Sequence, residues 1–363
     1  MLQGDYLLAI IRLGIGFEFN SNILNISQDI NWNYIKAIAM RQGLLGIIVD
    51  GVEKLSEDQR PPQTLLLQWI GQTVEGYENR YEPYCRTIAE MAGWYNRHGY
   101  KMMLLKGLAC GMDWPKPKHR PYGDIDIWLF GNQKEADEAL AKELNIKIDN
   151  SHHHHTIFNW NGFMVENHYD FINVHHYKSS RELENIFKEL GQDDSRFIMM
   201  NGQKVYTPSP NLHALFLIRH MVSHFSSIQL NLRQILDWGF FVEKHGDEVD
   251  WVWLLPVLDQ YHMKNFFDCI NAICVNDLGF ANTNYTNGSL RSKSLENLKE
   301  RILKDILSPE FDGVQPQGLI HRVPFKYRRW KANAWKRELC YAESERSSFW
   351  GGVWNHMLKP ASI

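Results

Sequence analysis

The chain has 363 residues, of which 44% are hydrophobic and 22% charged. This globular mixture excludes a disordered or fibrous protein, and the length calls for two or three structural units. Thirty-nine Lys+Arg against 42 Asp+Glu leave a net charge of -3, which argues against a surface built throughout for nucleic acid.

No apolar run reaches the ~18 residues a membrane-spanning helix needs, and the longest near the start, Tyr6-Leu-Leu-Ala-Ile-Ile, stops at Arg12. Met1-Leu-Gln-Gly-Asp lacks the basic flank of a signal peptide. Five cysteines without CxxC spacing point to reduced thiols and a cytoplasmic address.

Residues 1–99 read as a helical region. From Trp32 to Ile48 apolar residues recur at three- and four-residue steps, giving one buried face. Pro61-Pro62 breaks the chain, and an amphipathic stretch then runs from Thr64 toward His98. Between 100 and 206 the period shortens. Lys101-Met-Met-Leu-Leu-Lys106 predicts a buried strand ending at Gly107, and Ile125-Asp-Ile-Trp-Leu-Phe130 predicts a second. Residues 133–145 predict a helix. Thr156-Ile-Phe-Asn-Trp160 and Phe163-Met-Val-Glu-Asn-His-Tyr-Asp-Phe171 predict two strands joined at Asn161-Gly162, a strong hairpin signal. In 207–363 the pattern returns to helix, with Asn211 as cap of a run through Phe225, a second run from Leu230 to Lys244, a polar loop over Asn282–Ser289 and a basic aromatic tail. The expected class is α+β: a small mixed sheet between helical segments.

The chemistry concentrates in Leu104-Leu-Lys-Gly-Leu-Ala-Cys-Gly-Met112 and Arg120-Pro-Tyr-Gly-Asp-Ile-Asp-Ile-Trp128. Asp124 and Asp126 are two apart in a strand, so both project from one face. Carboxylates held that close repel unless a cation sits between them, and Mg²⁺ combines one or two carboxylates with substrate phosphates. Gly107 opens a small-residue segment where backbone N–H groups can approach phosphate. Gly123 permits a tight entry from Pro121-Tyr122. In Val165-Glu-Asn-His-Tyr-Asp170, Glu166, His168 and Asp170 share one strand face and offer a third carboxylate. A lone Asp-x-Asp is usually structural; the ordered combination is not.

These segments, with the flanking Trp32 region and Arg233 and Asp237, resemble the uncharacterised nucleotidyltransferase family of the DNA polymerase β-like superfamily. The resemblance implies the phosphate motif at Lys106 and Gly107, with Gly123 beside it, and the arginine ahead of the acidic pair at Arg120. It implies metal-binding aspartates at Asp124 and Asp126, and the third-carboxylate strand at Glu166 and His168, with Glu166 preferred to Asp170. The implied reaction moves a nucleoside monophosphate from an NTP such as ATP to an acceptor hydroxyl, with Mg²⁺ or Mn²⁺ as cofactor and pyrophosphate as product. The residues do not specify the acceptor, and a nucleic acid is not favoured. Where better-known relatives follow the glycine with a serine hydroxyl for the triphosphate, this chain has Leu108, a feature that favours a catalytically silent nucleotide- or partner-binding protein as the alternative.

Other features carry competing readings. His152–His155 lie beside a strand whose alternation sends them in opposite directions, which favours adventitious metal affinity over a built zinc site. His213, His220 and His224 fall at spacings of seven and four on one helix face, a polar stripe that could line the cleft, without the Glu of a His-Glu-x-x-His motif. Arg233 and Asp237 are spaced for an i,i+4 pair, or for a substrate contact by Arg233. Arg322–Arg337 interleaves basic and aromatic residues; a solvated face is the ordinary reading, beside single-strand or membrane-surface binding.

Overall fold

The computed structural model describes residues 3–17, 30–175, 177–281, 292–311, 316 and 318–344, so the polar loop expected at 282–289 and the end of the tail lie outside the described residues. The fold is α+β. Helices α1 (Gln3–Gly14), α2 (Trp32–Gln42), α3 (Leu45–Glu53), α4 (Gln63–Thr73) and α5 (Asn79–Arg97) precede the sheet. Asn31 caps α2 by accepting from the Tyr34 amide at 3.0 Å, and Gly43, at φ 69°, ends it, so the apolar stripe from Trp32 divides into two helices.

Strand β1 (Met103–Leu104) leads into the one-turn α6 (Leu108–Gly111), then β2 (Ile125–Trp128) and α7 (Gln133–Leu144). The hairpin β3 (His155–Trp160) and β4 (Phe163–His168) follows, then α8 (Lys178–Leu190) and a second hairpin, β5 (Phe197–Met200) and β6 (Gln203–Tyr206). The sheet order is β3-β4-β2-β1-β6-β5. β2 pairs parallel with β4, setting Asp126 opposite Glu166 and Trp128 opposite His168.

Both hairpins turn on Asn-Gly with positive φ at each residue: Asn161 at 51° and Gly162 at 84°, Asn201 at 47° and Gly202 at 76°. That is the backbone twist a two-residue turn requires. The β5–β6 hairpin and α8 add to the elements expected from the pattern.

Alternation divides the sheet's faces. Leu104, Ile125, Ile127, Val165 and Val205 pack with α5 and α7 residues such as Ile88, Met91, Ala136 and Leu140. Met103, Trp128 and Tyr206 face the larger core, where apolar residues of α1–α4 and of the C-terminal helices meet. Those helices are α9 (Pro210–Ser227), α10 (Leu232–His245), α11 (Trp251–Gln260), α12 (Lys264–Ala272), α13 (Lys293–Leu307), α14 (Leu319–Ala332) and α15 (Ala334–Cys340). Asp126 and Glu166 share this second face, so the carboxylates project between the sheet and α9.

Helix α9 starts one residue pair earlier than expected. Ser209 is its N-cap and Pro210 its first residue, while the Asn211 side chain accepts from the Asp250 amide at 2.8 Å. Asn231 caps α10 in a capping box with Gln234. The basic aromatic segment is partly core: Lys336 is 1% exposed and pairs with buried Asp305 at 2.5 Å, and Arg337 lies over the Trp330 ring. These two cations are therefore not part of a solvated face. Among the described residues no helix is long and apolar enough to cross a membrane.

Candidate active site

The site is built where β1, β2 and β4 end against α9 and α10. Asp126 is 3% exposed, yet two cations of the chain reach the same oxygen: the Lys106 ammonium lies 2.7 Å from Asp126 Oδ1, and His168 Nε2 donates to it across 3.1 Å. His168 also lies 3.6 Å from Glu166 Oε2. Burial opposes the Asp126 charge, but Lys106 and His168 outweigh it and hold this carboxyl far below the usual range. Burial likewise opposes ionised Glu166, and its His168 contact wins and lowers its pKa. Burial works against protonated His168, yet Asp126 and Glu166 raise its pKa to about 9, so the ring is an imidazolium at neutral pH.

Lys106 is also buried, and Asp126, Glu166 and Asp124 outweigh that to raise its pKa. Its ammonium donates to His220 Nε2 at 3.1 Å, and His224 Nε2 lies 3.1 Å from the same nitrogen. Burial and then Lys106 depress both imidazoles, His224 to about 4, so α9 presents neutral rings to the lysine. The stripe at His220 and His224 thus borders the Lys106–Asp126 pair. His213, a turn and more earlier, instead contacts the Cys110 thiol at 3.6 Å.

Asp124 is half-buried just ahead of β2; burial, then Asp126, raise its pKa. Asp126, Glu166 and His168 each offer a ligand atom within 4.8 Å of the others, a set that Asp124 borders rather than joins. Asp170 lies past the strand end at His168 and pairs with Lys188 of α8 at 2.5 Å, so the face shared by Glu166 and His168 does not extend to it.

Gly107 adopts φ 61° and ψ -109°, and a Cβ there would lie 2.4 Å from Tyr84 Oη, which donates to the Asp124 carbonyl at 2.9 Å. Gly107→Ala should therefore cost about 1–3 kcal/mol, read as a lower urea midpoint. Adding Tyr84→Phe should restore part of it; a single variant as stable as wild type would remove the steric role. Gly123 carries no such requirement: it is exposed, with open space where a Cβ would stand.

Arg120 is locked rather than open. It is 5% exposed and forms a bidentate pair with Asp237 of α10, Nε to Oδ1 at 2.8 Å and Nη2 to Oδ2 at 2.9 Å, and Trp114 Nε1 donates to the same Oδ1 at 2.8 Å. Asp237 thus serves Arg120, not Arg233 of its own helix. Arg233 donates Nη1 to the Pro121 carbonyl at 3.4 Å, while its buried Nε has no hydrogen-bond partner. Burial and then Arg120 lower its pKa. Sequence spacing carried no sign of the Arg120–Asp237 pair, or of Tyr84 beneath the glycine.

The profile of a family described as uncharacterised nucleotidyltransferase matches residues 28–278. The chain belongs to this family. The match takes in the sheet, α2–α12 and every residue of the acidic cluster, while α13–α15 lie beyond it. Searches of the curated proteins and of the solved structures find no match. Within the matched segment of this chain, the acidic cluster falls where β2 and β4 run side by side. General nucleotidyltransferase function follows from this membership.

Proposed function

We propose that the protein moves a nucleoside monophosphate from an NTP to an acceptor hydroxyl, releases pyrophosphate and depends on Mg²⁺ or Mn²⁺. The observation that carries this reading is the parallel register of β2 and β4, which sets Asp126 beside Glu166 within the family's matched segment. The donor set fits the metal: carboxylate oxygens are what a hard cation takes, and the Lys106 ammonium at 2.7 Å already stands as a cation on Asp126. Asp124 and Asp126 would hold the nucleotide's metal, and Glu166 would complete the set. The bound metal supplies charge neutralisation on the phosphates and a lowered pKa for the acceptor hydroxyl.

The chain's own residues do the rest. The acceptor oxygen attacks the α-phosphorus, the bond to the β-phosphate oxygen breaks, and pyrophosphate leaves with that electron pair. A Glu166 carboxylate oxygen takes the acceptor proton and passes it to water. Lys106 would turn its ammonium from Asp126 to phosphate, and Gly107 would let the backbone approach. The buried, partly unpartnered Arg233 guanidinium is the better second charge, because Arg120 is committed to Asp237. Arg120 acts by positioning the entry to β2. Five cysteines outside any disulfide suit a cytoplasmic setting.

A second reading, a silent nucleotide-binding relative, is favoured by Leu108 in place of a hydroxyl and by the neutralisation of Asp126 by Lys106 and His168. Pyrophosphate release with a broad acceptor panel, beside nucleotide binding on the same preparation, separates the two: tight binding without release selects the silent protein. Asp126→Asn should abolish Mg²⁺-dependent NTP binding in calorimetry while the thermal transition persists. Equal affinity in wild type and variant would sink the two-aspartate assignment.

A further inference from the structure

The four consecutive histidines do not alternate. β3 begins only at His155, and residues 152–154 are bends, so strand periodicity does not separate their side chains. His154 and His155 instead turn toward His168 at the end of β4. One ring nitrogen from each of His154, His155 and His168 lies within 4.8 Å of the other two. Ring centroids are 4.3 Å apart for His154–His155, 5.3 Å for His155–His168 and 5.6 Å for His154–His168.

The second observation is that this cluster is unsatisfied. His155 is 6% exposed, and both its ring nitrogens are buried with no hydrogen-bond partner, as is His154 Nδ1. Buried polar atoms are nearly always paired, so orphaned nitrogens on two adjacent rings, each neutral ring offering one lone pair, point to a missing partner that accepts it. The backbone holds the cluster in place: the His154 carbonyl accepts from the Tyr169 amide at 3.0 Å and the Asp170 amide at 3.1 Å, and Tyr169 Oη donates to the His152 carbonyl at 2.8 Å. A carboxylate is at hand, since Glu166 Oε1 lies 3.9 Å from His155 Nε2.

We propose that His154, His155 and His168 form a zinc-class divalent metal site, with Glu166 or a water as fourth ligand, beside the oxygen-donor cluster at Asp124 and Asp126. Imidazole nitrogens select zinc, copper or nickel over magnesium. Tetrahedral Zn–N bonds of about 2.0–2.1 Å put donors about 3.3 Å apart, so nitrogens that lie within 4.8 Å of one another are drawn in by side-chain rotations of at most about 1.5 Å. The site does not rest on nucleotidyl transfer. It does borrow His168, so filling it draws that ring away from Asp126 and releases one imidazolium proton to solvent, which makes Zn²⁺ affinity rise with pH.

The test uses the tag-free full-length chain, stripped with chelator and titrated without nucleotide, with Zn²⁺ by calorimetry and Co²⁺ by visible absorption. The expected result is one tight equivalent that excess Mg²⁺ does not displace, with intense Co²⁺ bands of a four-coordinate site. His154→Ala, at a half-buried position whose backbone contacts survive, should weaken Zn²⁺ binding by at least ~10-fold, and His155→Ala by ~100-fold or more, scaling from the losses known for outer-shell changes. A His152→Ala/His153→Ala double variant should bind as wild type. The proposal is overturned if the wild type binds no stoichiometric Zn²⁺. It is equally overturned if binding disappears in the double variant and survives in folded His154→Ala, which would mean loose affinity of a histidine run. Because no nucleotide is present, either failure leaves the transferase reading untouched.

Discussion

Glu166→Gln is expected to leave NTP affinity near wild type while lowering product formation by about 10²–10³-fold, the loss typical of removing one focused electrostatic contact. The substitution keeps volume and hydrogen bonding and removes only charge. Ground-state nucleotide binding needs one metal with the triphosphate, for which Asp124 and Asp126 are the proposed ligands; the acceptor must in addition lose its proton in line, and that is the work proposed for Glu166. The position tolerates the change because its side chain is 17% exposed and its neighbour His168 keeps Asp126 as a partner at 3.1 Å. The measurement is pyrophosphate release at saturating NTP, beside calorimetry on the same preparations. Undiminished release in the variant would take Glu166 out of the mechanism. Asp170 does not inherit the role, being engaged with Lys188.

The second large effect is on stability. Asp237→Ala strips the bidentate partner from Arg120, whose side chain is 5% exposed, and leaves a guanidinium buried without compensation. Breaking such a pair costs about 3–5 kcal/mol, and the urea midpoint should fall accordingly. The Trp114 indole N–H loses its acceptor in the same step. Removing both charges together, as Arg120→Met with Asp237→Leu, should recover much of the loss, since a well-packed apolar pair avoids the desolvation that the ion pair must offset. A single variant within about 1 kcal/mol of wild type would show that this contact does not brace the β2 entry. Because Arg120 immediately precedes Pro121-Tyr122-Gly123-Asp124, nucleotide binding should weaken along with stability.

Much of the site was legible from local pattern. Asp124 and Asp126, two apart, read as same-face residues; β2 begins at Ile125 and carries Asp126 on the face opposite Ile125 and Ile127, with Asp124 just ahead of the strand. Asn161-Gly162 marked its hairpin because only residues tolerant of positive φ make that turn. Asn201-Gly202 makes the same turn, but its flanking strands are four residues each and half-exposed, too short for alternation to stand out. Strand periodicity applied to the histidine run starts three residues too early: the strand begins at its last member, and the other three are bends.

By itself, then, the sequence determined the α+β class, the order of helices and strands from residue 100 to the end of the first hairpin, and the Asn161-Gly162 turn, because periodicity and turn chemistry act over a few neighbouring residues. Only the tertiary structure decided what those groups meet. Lys106 neutralising Asp126, Arg120 claimed by Asp237 at a separation of 117 residues, Tyr84 beneath Gly107, and His154 and His155 drawn to His168 all depend on strand register and helix docking. Those are set by burial of apolar faces across the whole chain, a sum over distant contacts that no local spacing encodes.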